Sequence, residues 1–122
     1  MHRPGTSKLV GVGIDVIEIS RIVHAMEDDA FSSVVLAPAE RTNVCTPEWL
    51  AGRWAAKEAV AKAVGTHLRW HDVEIFDDER GGPLVSLRGP SQPRVHLSLS
   101  FGGGLACALA IAEVNQQEDQ PH

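Results

Sequence analysis

The segment Thr46-Pro47-Glu48 followed by WLAGRWAAKEAVAKAV and then Gly65 constrains the fold more than any other part of the chain. Thr46 can cap a helix with its side-chain oxygen. Pro47 suits the first helical position, where no backbone N–H is needed, and Glu48 places an anion beside the positive end of the helix dipole. Gly65 supplies the stop. The spacing predicts a helix over 47–64. Its alanines lower the conformational cost and let neighbouring elements approach closely, although Gly52 returns about 1 kcal/mol of helix propensity relative to alanine. Leu50, Trp54, Ala61 and Val64 are read as its apolar stripe.

The N-terminal stretch GVGIDVIEI, residues 11–19, reads as a buried strand. Val12, Ile14, Val16 and Glu18 share one face, and Gly13, Asp15, Ile17 and Ile19 share the other. Asp15 thus sits on an apolar row, and a carboxylate held out of water requires a cation or hydrogen-bond donors. Ser20 is a candidate cap for a short helix bearing Ile22, Val23 and Met26, which should end at Glu27-Asp28-Asp29. A second short helical piece is expected over 38–43. Beyond Val73 the periodicity becomes two. Residues 73–76 and 84–87 flank an acidic turn, and residues 95–101 and 105–113 flank Gly102-Gly103-Gly104. One α+β domain over residues 1–113 is expected, with its long helix packed on a mostly antiparallel sheet and residues 114–122 forming a disordered polar tail.

Charge narrows the function. The chain of 122 residues carries a formal −5, which argues against general nucleic-acid binding. Five cations and two anions lie between Arg41 and Arg69, a locally positive segment suited to a small anionic ligand. Cys45 and Cys107 fit no metal or disulfide pattern and read as reduced thiols. No apolar run approaches the roughly 20 residues needed to cross a bilayer, so a cytoplasmic, membrane-free protein is expected. Gly11-Val12-Gly13 opens like a dinucleotide fingerprint but has Val16 in place of the third glycine and no βαβ continuation. His67 and His71 lie beyond the helix stop and make a poor zinc pair. Ser98 and Ser100 share a strand face with His96, yet no strained turn presents either as a nucleophile. Ser100 could still line a ligand.

On the long helix, Glu58 and Lys62 follow Trp54 at successive i, i+4 steps. An ordinary surface pair between them would be worth about 0.3–0.5 kcal/mol. If the opening strand lies against this edge, Asp15 and Glu58 approach each other, and two carboxylates converge stably around a proton or a hard cation such as Mg²⁺. Lys62 would then face phosphate oxygens drawn to that cation. Lys57 is read as packing its stem across the apolar stripe with its ammonium escaping to the edge, and Arg53, on another side, could fork onto a phosphate.

Three blocks, GVGIDVIEISRI at 11–22, GRWAAKEAVAKAVGT at 52–66 and VHLSLSFGGGLACALAIAE at 95–113, resemble the holo-acyl-carrier-protein synthase family of 4′-phosphopantetheinyl transferases. The W-x-x-K-E-A-x-x-K core of the second block is the most specific. The resemblance implies Asp15 and Glu58 as Mg²⁺ ligands, Lys62 as a coenzyme A phosphate contact, and Glu58 and Lys62 as the catalytic groups, while Arg53, Gly65 and Ser100 are expected as further cofactor contacts. It implies transfer of the 4′-phosphopantetheine arm of coenzyme A to a serine of an acyl carrier protein, with release of adenosine 3′,5′-bisphosphate. It also implies a homotrimer whose sites lie between protomers, with Arg21 on the first helix docking the acidic carrier. The chain departs from the family pattern at Phe101, usually histidine, and at Asn43-Val44-Cys45, where several members carry a basic pair. These departures imply a looser grip on the nucleotide's 3′-phosphate. A competing reading is a catalytically impaired paralogue of the same fold that holds carrier protein or nucleotide without transferring anything.

Overall fold

A computed structural model describes residues 6–41, 45–65 and 68–116. Strand β1 (Thr6–Glu18) leads into helix α1 (Ile19–Ala25), short helix α2 (Phe31–Val35) and a 3₁₀ turn at Pro38–Glu40. Helix α3 (Pro47–Val64) follows, then a second 3₁₀ turn at Trp70–Asp72 and strands β2 (Val73–Asp77), β3 (Pro83–Leu87), β4 (Arg94–Gly102) and β5 (Leu105–Gln116). The strands form two antiparallel sheets, β1-β5-β4 and β2-β3. The α+β architecture is the expected one. Strand β5 takes in residues 114–116, the first part of the segment expected to be tail; 117–122 lie outside the described residues.

Helix α3 has the predicted ends. The Thr46 hydroxyl accepts from the Trp49 N–H at 3.1 Å, and Gly65 closes the helix in the left-handed region at φ 76°. Its surroundings differ from the single stripe read from the sequence. Leu50, Ala51, Gly52, Arg53, Ala55, Ala56, Lys57, Ala59, Val60 and Ala63 are all buried, whereas Trp54, Ala61 and Val64 keep partial exposure. The correction has a steric cause. A surface rich in alanine and glycine offers no protruding ridge, so the three-stranded sheet comes close on one side, and Val73 and Ile75 of β2 join the same core.

The tightest approach is at β1. A methyl group added to Gly13 would lie 2.0 Å from the Ala59 carbonyl oxygen, and one at Gly11 would lie 1.9 Å from that of Ala63. Ala106, Ala108, Ala110 and Ala112 of β5 continue this small-residue contact and are fully buried. Gly13→Ala therefore forces strand and helix backbones apart. A loss of about 1–3 kcal/mol is expected, seen as a melting temperature lower by about 5–15 °C. An unchanged melting curve would contradict this reading of the contact.

Two smaller expectations are revised. Helix α1 begins at Ile19 with Glu18 at its N-cap and no side-chain cap, so Ser20 lies inside the helix rather than before it. The Ile19 N–H is taken instead by the Gly104 carbonyl at 2.8 Å, which ties α1 to the β4–β5 turn. The helical piece expected over 38–43 is a single 3₁₀ turn at 38–40, with residues 42 and 43 outside the described residues, and α2 had no signal because it is five residues long and lacks a polar cap. None of the described helices is long and apolar enough to cross a membrane.

Candidate active site

The inward row of β1 runs Gly13, Asp15, Ile17, and its two glycines hold α3 close enough for Asp15 to reach that helix. Lys62, near the C-terminal end of α3, reaches across. Its ammonium donates to Asp15 Oδ1 at 3.2 Å and to the Ile14 carbonyl at 3.0 Å. Lys62 thus turns to the strand rather than to Glu58 one turn back on its own helix. The buried-row carboxylate is answered by a lysine 47 positions away in the chain.

Asp15 and Glu58 line one cavity of about 340 Å³, together with Arg21 from α1 and an apolar wall. The sequence-predicted acids and the expected docking arginine are therefore brought to one place. Glu58 also borders a neighbouring cavity of about 300 Å³ with Leu68, Arg69 and Trp70. The cavity with both acids is walled by Phe31 and Trp54. Trp54 is the centre of an aromatic stack, with Phe31 at 5.6 Å and 23° on one side and Trp70 at 4.5 Å and 41° on the other.

Arg53 occupies a different place. Five residues from Glu58, it is turned about 140° around the helix, and it lines a separate cavity of about 400 Å³, the third, with Trp49, Asp77 and Phe101. Its guanidinium lies 4.8 Å above the Trp49 ring and 3.7 Å from an Asp77 carboxylate oxygen. The side chain is almost wholly buried, and its Nε has no hydrogen-bond partner among the described residues. A buried guanidinium N–H left unpaired is costly. Phe101 lies across Gly52, where an added methyl would be 2.7 Å from the ring. Ser100 is exposed on β4 and lines none of these cavities, while Ser98 borders the third. Gly65 serves as the left-handed stop of α3 and is exposed.

Lys57 departs most from expectation. Its ammonium does not escape to the edge. It is buried against Glu40, itself buried, and donates to the Trp70 carbonyl at 2.9 Å. Glu40 also accepts from the N–H groups of Ala37 at 2.9 Å and Ile75 at 3.1 Å. Burial pulls the Lys57 ammonium below the ordinary lysine range, while the hydrogen bond and charge of Glu40 push it back up. The pair ties α3 to both 3₁₀ turns and to β2, fixing Trp70 behind Trp54. The signal for Glu40 was indirect: a lysine in the middle of a buried helix face requires an acid, but nothing local marked which one.

Among the described residues no group of three or more His, Cys, Asp or Glu side chains could enclose a metal. His71 bonds the Ser33 carbonyl at 2.9 Å, and His67 lies outside the described residues, as do Asn43 and Val44 of the departing segment.

Comparison with known proteins identifies the family. Residues 11–110 match the 4′-phosphopantetheinyl transferase superfamily. The chain is 40% identical to a holo-[acyl-carrier-protein] synthase of Geobacillus kaustophilus, over 86% of this chain and 89% of the relative. It is 41% identical to one of Salinispora arenicola, over 86% and 98%. A crystal structure of the holo-(acyl-carrier-protein) synthase of Bacillus anthracis in complex with CoA (3′,5′-ADP) superposes with a TM-score of 0.77 at 36% identity, covering 86% of this chain and 96% of the other. The Plasmodium yoelii holo-ACP-synthase superposes at 0.82 with 28% identity, over 91% and 99%. With a matching family model across most of its length and relatives near 40% identity, the chain belongs to the holo-acyl-carrier-protein synthase family of 4′-phosphopantetheinyl transferases.

Proposed function

We propose that the protein transfers the 4′-phosphopantetheine arm of coenzyme A to a serine hydroxyl of an apo acyl carrier protein, releasing adenosine 3′,5′-bisphosphate, with Mg²⁺ as cofactor. The observation that carries this reading is that Asp15 of β1 and Glu58 of α3, distant in the chain, line one cavity, with Lys62 on Asp15. Two carboxylates without a third protein ligand suit Mg²⁺, which commonly takes one or two carboxylates and completes its shell with water and substrate phosphate oxygens. When bound between Asp15 and Glu58, the ion would offset charge on the diphosphate.

The chain's own groups supply the rest. Lys62 exchanges its bond to Asp15 for one to a phosphate oxygen and stabilises charge that grows during transfer. In this reading Glu58 takes the serine proton as the serine oxygen bonds to the phosphorus next to the pantetheine arm. The bridging P–O bond breaks, and the electron pair leaves with the nucleotide phosphate. Arg21 at the rim offers a cation to an acidic carrier, and Arg53 offers its guanidinium charge to the nucleotide end. Incubating the protein with apo acyl carrier protein, coenzyme A and Mg²⁺ should add one phosphopantetheine, about 340 Da, to the carrier. Tight binding of carrier or nucleotide with no mass gain across several carriers would favour the impaired paralogue.

Arg53 and Glu58 serve separate cavities, which supports sites built between protomers. The outer face of the β1-β5-β4 sheet supports it too. Val12, Ile14 and Val16 are each more than half exposed, beside exposed Leu105 and Leu109. A contiguous apolar face of this kind on an acidic, charged chain fits burial by further copies of itself. A homotrimer is the assembly we assign. Ile14→Asp puts a carboxylate in the middle of that face, so sedimentation should show the 13.2 kDa monomer and transfer activity should fall with it. A wild-type protein that sediments as a monomer would overturn the assignment.

A further inference from the structure

The cavity that holds the two acids has an aromatic side that the transfer chemistry leaves unused. Trp54 stands one helical turn before Glu58, so indole and carboxylate follow one another along the same edge of α3. The indole is clamped between Phe31 and Trp70, and Trp70 is anchored in turn by the Lys57 ammonium on its carbonyl. Even so, Trp54 remains partly exposed and lines the cavity with Phe31, Ile17 and Ile22. The result is a fixed aromatic edge that borders the cavity and is continuous with the site of phosphate chemistry.

Resting on the transfer reading above, the choice of occupant follows from chemistry. Two chains leave the diphosphate of coenzyme A. One is an adenosine with a further phosphate, which calls for cations. The other is the slender, uncharged pantetheine arm, whose gem-dimethyl group and methylenes call for apolar surface and whose thiol end tolerates solvent. The wall of Trp54, Phe31, Ile17 and Ile22 matches the second. A carrier-protein helix, about 10–12 Å across with its side chains, does not fit within about 340 Å³, so the carrier stays at the rim and only its serine reaches in. We propose that Trp54, held by Phe31 and Trp70, is the wall on which the pantetheine arm is packed, and that it sets the affinity for coenzyme A over the arm-less product.

The test compares Trp54→Leu with the wild type by titration calorimetry against coenzyme A and against adenosine 3′,5′-bisphosphate, with steady-state KM values for both substrates. Coenzyme A affinity should fall about tenfold or more, bisphosphate affinity should stay within about twofold of wild type, and Trp54→Phe should restore most of the loss. Should Trp54→Leu not fold, Phe31→Leu carries the same comparison. Equal losses for both ligands would reveal a merely structural tryptophan and overturn the proposal. So would an unchanged coenzyme A affinity, or a raised carrier KM with coenzyme A binding intact. A wild-type protein that shows the Trp54-dependent preference yet modifies no carrier would support the wall while sinking the transfer reading.

Discussion

Glu58→Gln should lower kcat for phosphopantetheine transfer about a thousandfold, equivalent to about 4 kcal/mol of barrier, while leaving the fold intact. Glutamine keeps the volume and the helix propensity but removes the negative charge. Glu58 is only partly buried and has no ion pair among the described residues, so folding loses little. The cavity, by contrast, loses one of its two carboxylates, which in the proposed reaction holds the cation against the diphosphate and accepts the serine proton. Asp15→Asn should be nearly as damaging to kcat. It should also cost some stability, because Lys62 then loses its ion pair with β1. Measured kcat values with saturating coenzyme A and carrier decide the matter. A Glu58→Gln enzyme within about tenfold of wild type would remove the carboxylate from the mechanism.

Glu40→Ala should be the most destabilising substitution considered, at about 3–5 kcal/mol, or roughly 10–20 °C in melting temperature. The change leaves the Lys57 ammonium buried with only the Trp70 carbonyl, and it strips acceptors from the N–H groups of Ala37 and Ile75. Replacing the pair together, as Glu40→Leu with Lys57→Met, should recover much of the loss because no buried charge is then left alone. The pH dependence has a definite sign. Burial already holds the Lys57 pKa below its ordinary value of 10.5, and without Glu40 its hydrogen bond and its charge are both lost, leaving only the weaker upward pull of Glu74, so the pKa falls further. Between that lowered value and the ordinary one, the unfolded chain binds more protons than the folded chain, so stability rises with pH across the window. Thermal melts of Glu40→Ala should therefore show its deficit narrowing as pH climbs toward the lysine range. A deficit independent of pH would mean that the lysine is not the group being stranded.

The parts of this molecule legible in the sequence were those specified by local chemistry. Thr46, Pro47 and Gly65 act within one turn of themselves, and both ends of α3 follow from them. The two strand pairs follow from period-two patterns and their glycine-bearing turns. Asp15 stood out because its row was otherwise apolar, and Glu58 and Lys62 because they follow a tryptophan at helical spacing. What the sequence concealed depends on contacts between distant segments. The stripe read on α3 was misplaced because alanine is small enough to be buried on any side, so burial was decided by where the sheets lie. Lys57 was assigned to an edge that the two 3₁₀ turns and β2 cover. Glu40, in Pro-Ala-Glu, has nothing in its neighbours to mark it as buried. The clamp of Phe31, Trp54 and Trp70 joins three elements across about forty residues of chain. The separation of Arg53 from Glu58 did follow from helix geometry, but the cavity it lines is made by strands much later in the chain.

A crystal of the protein grown with Mn²⁺ in place of Mg²⁺ and with coenzyme A tests the shared-cation claim most directly, because manganese scatters anomalously. The expected result is one anomalous peak in contact with Asp15, Glu58 and the diphosphate, with Lys62 moved from Asp15 onto a phosphate oxygen. A bound coenzyme A with no peak between those carboxylates, and Lys62 still on Asp15, would contradict it.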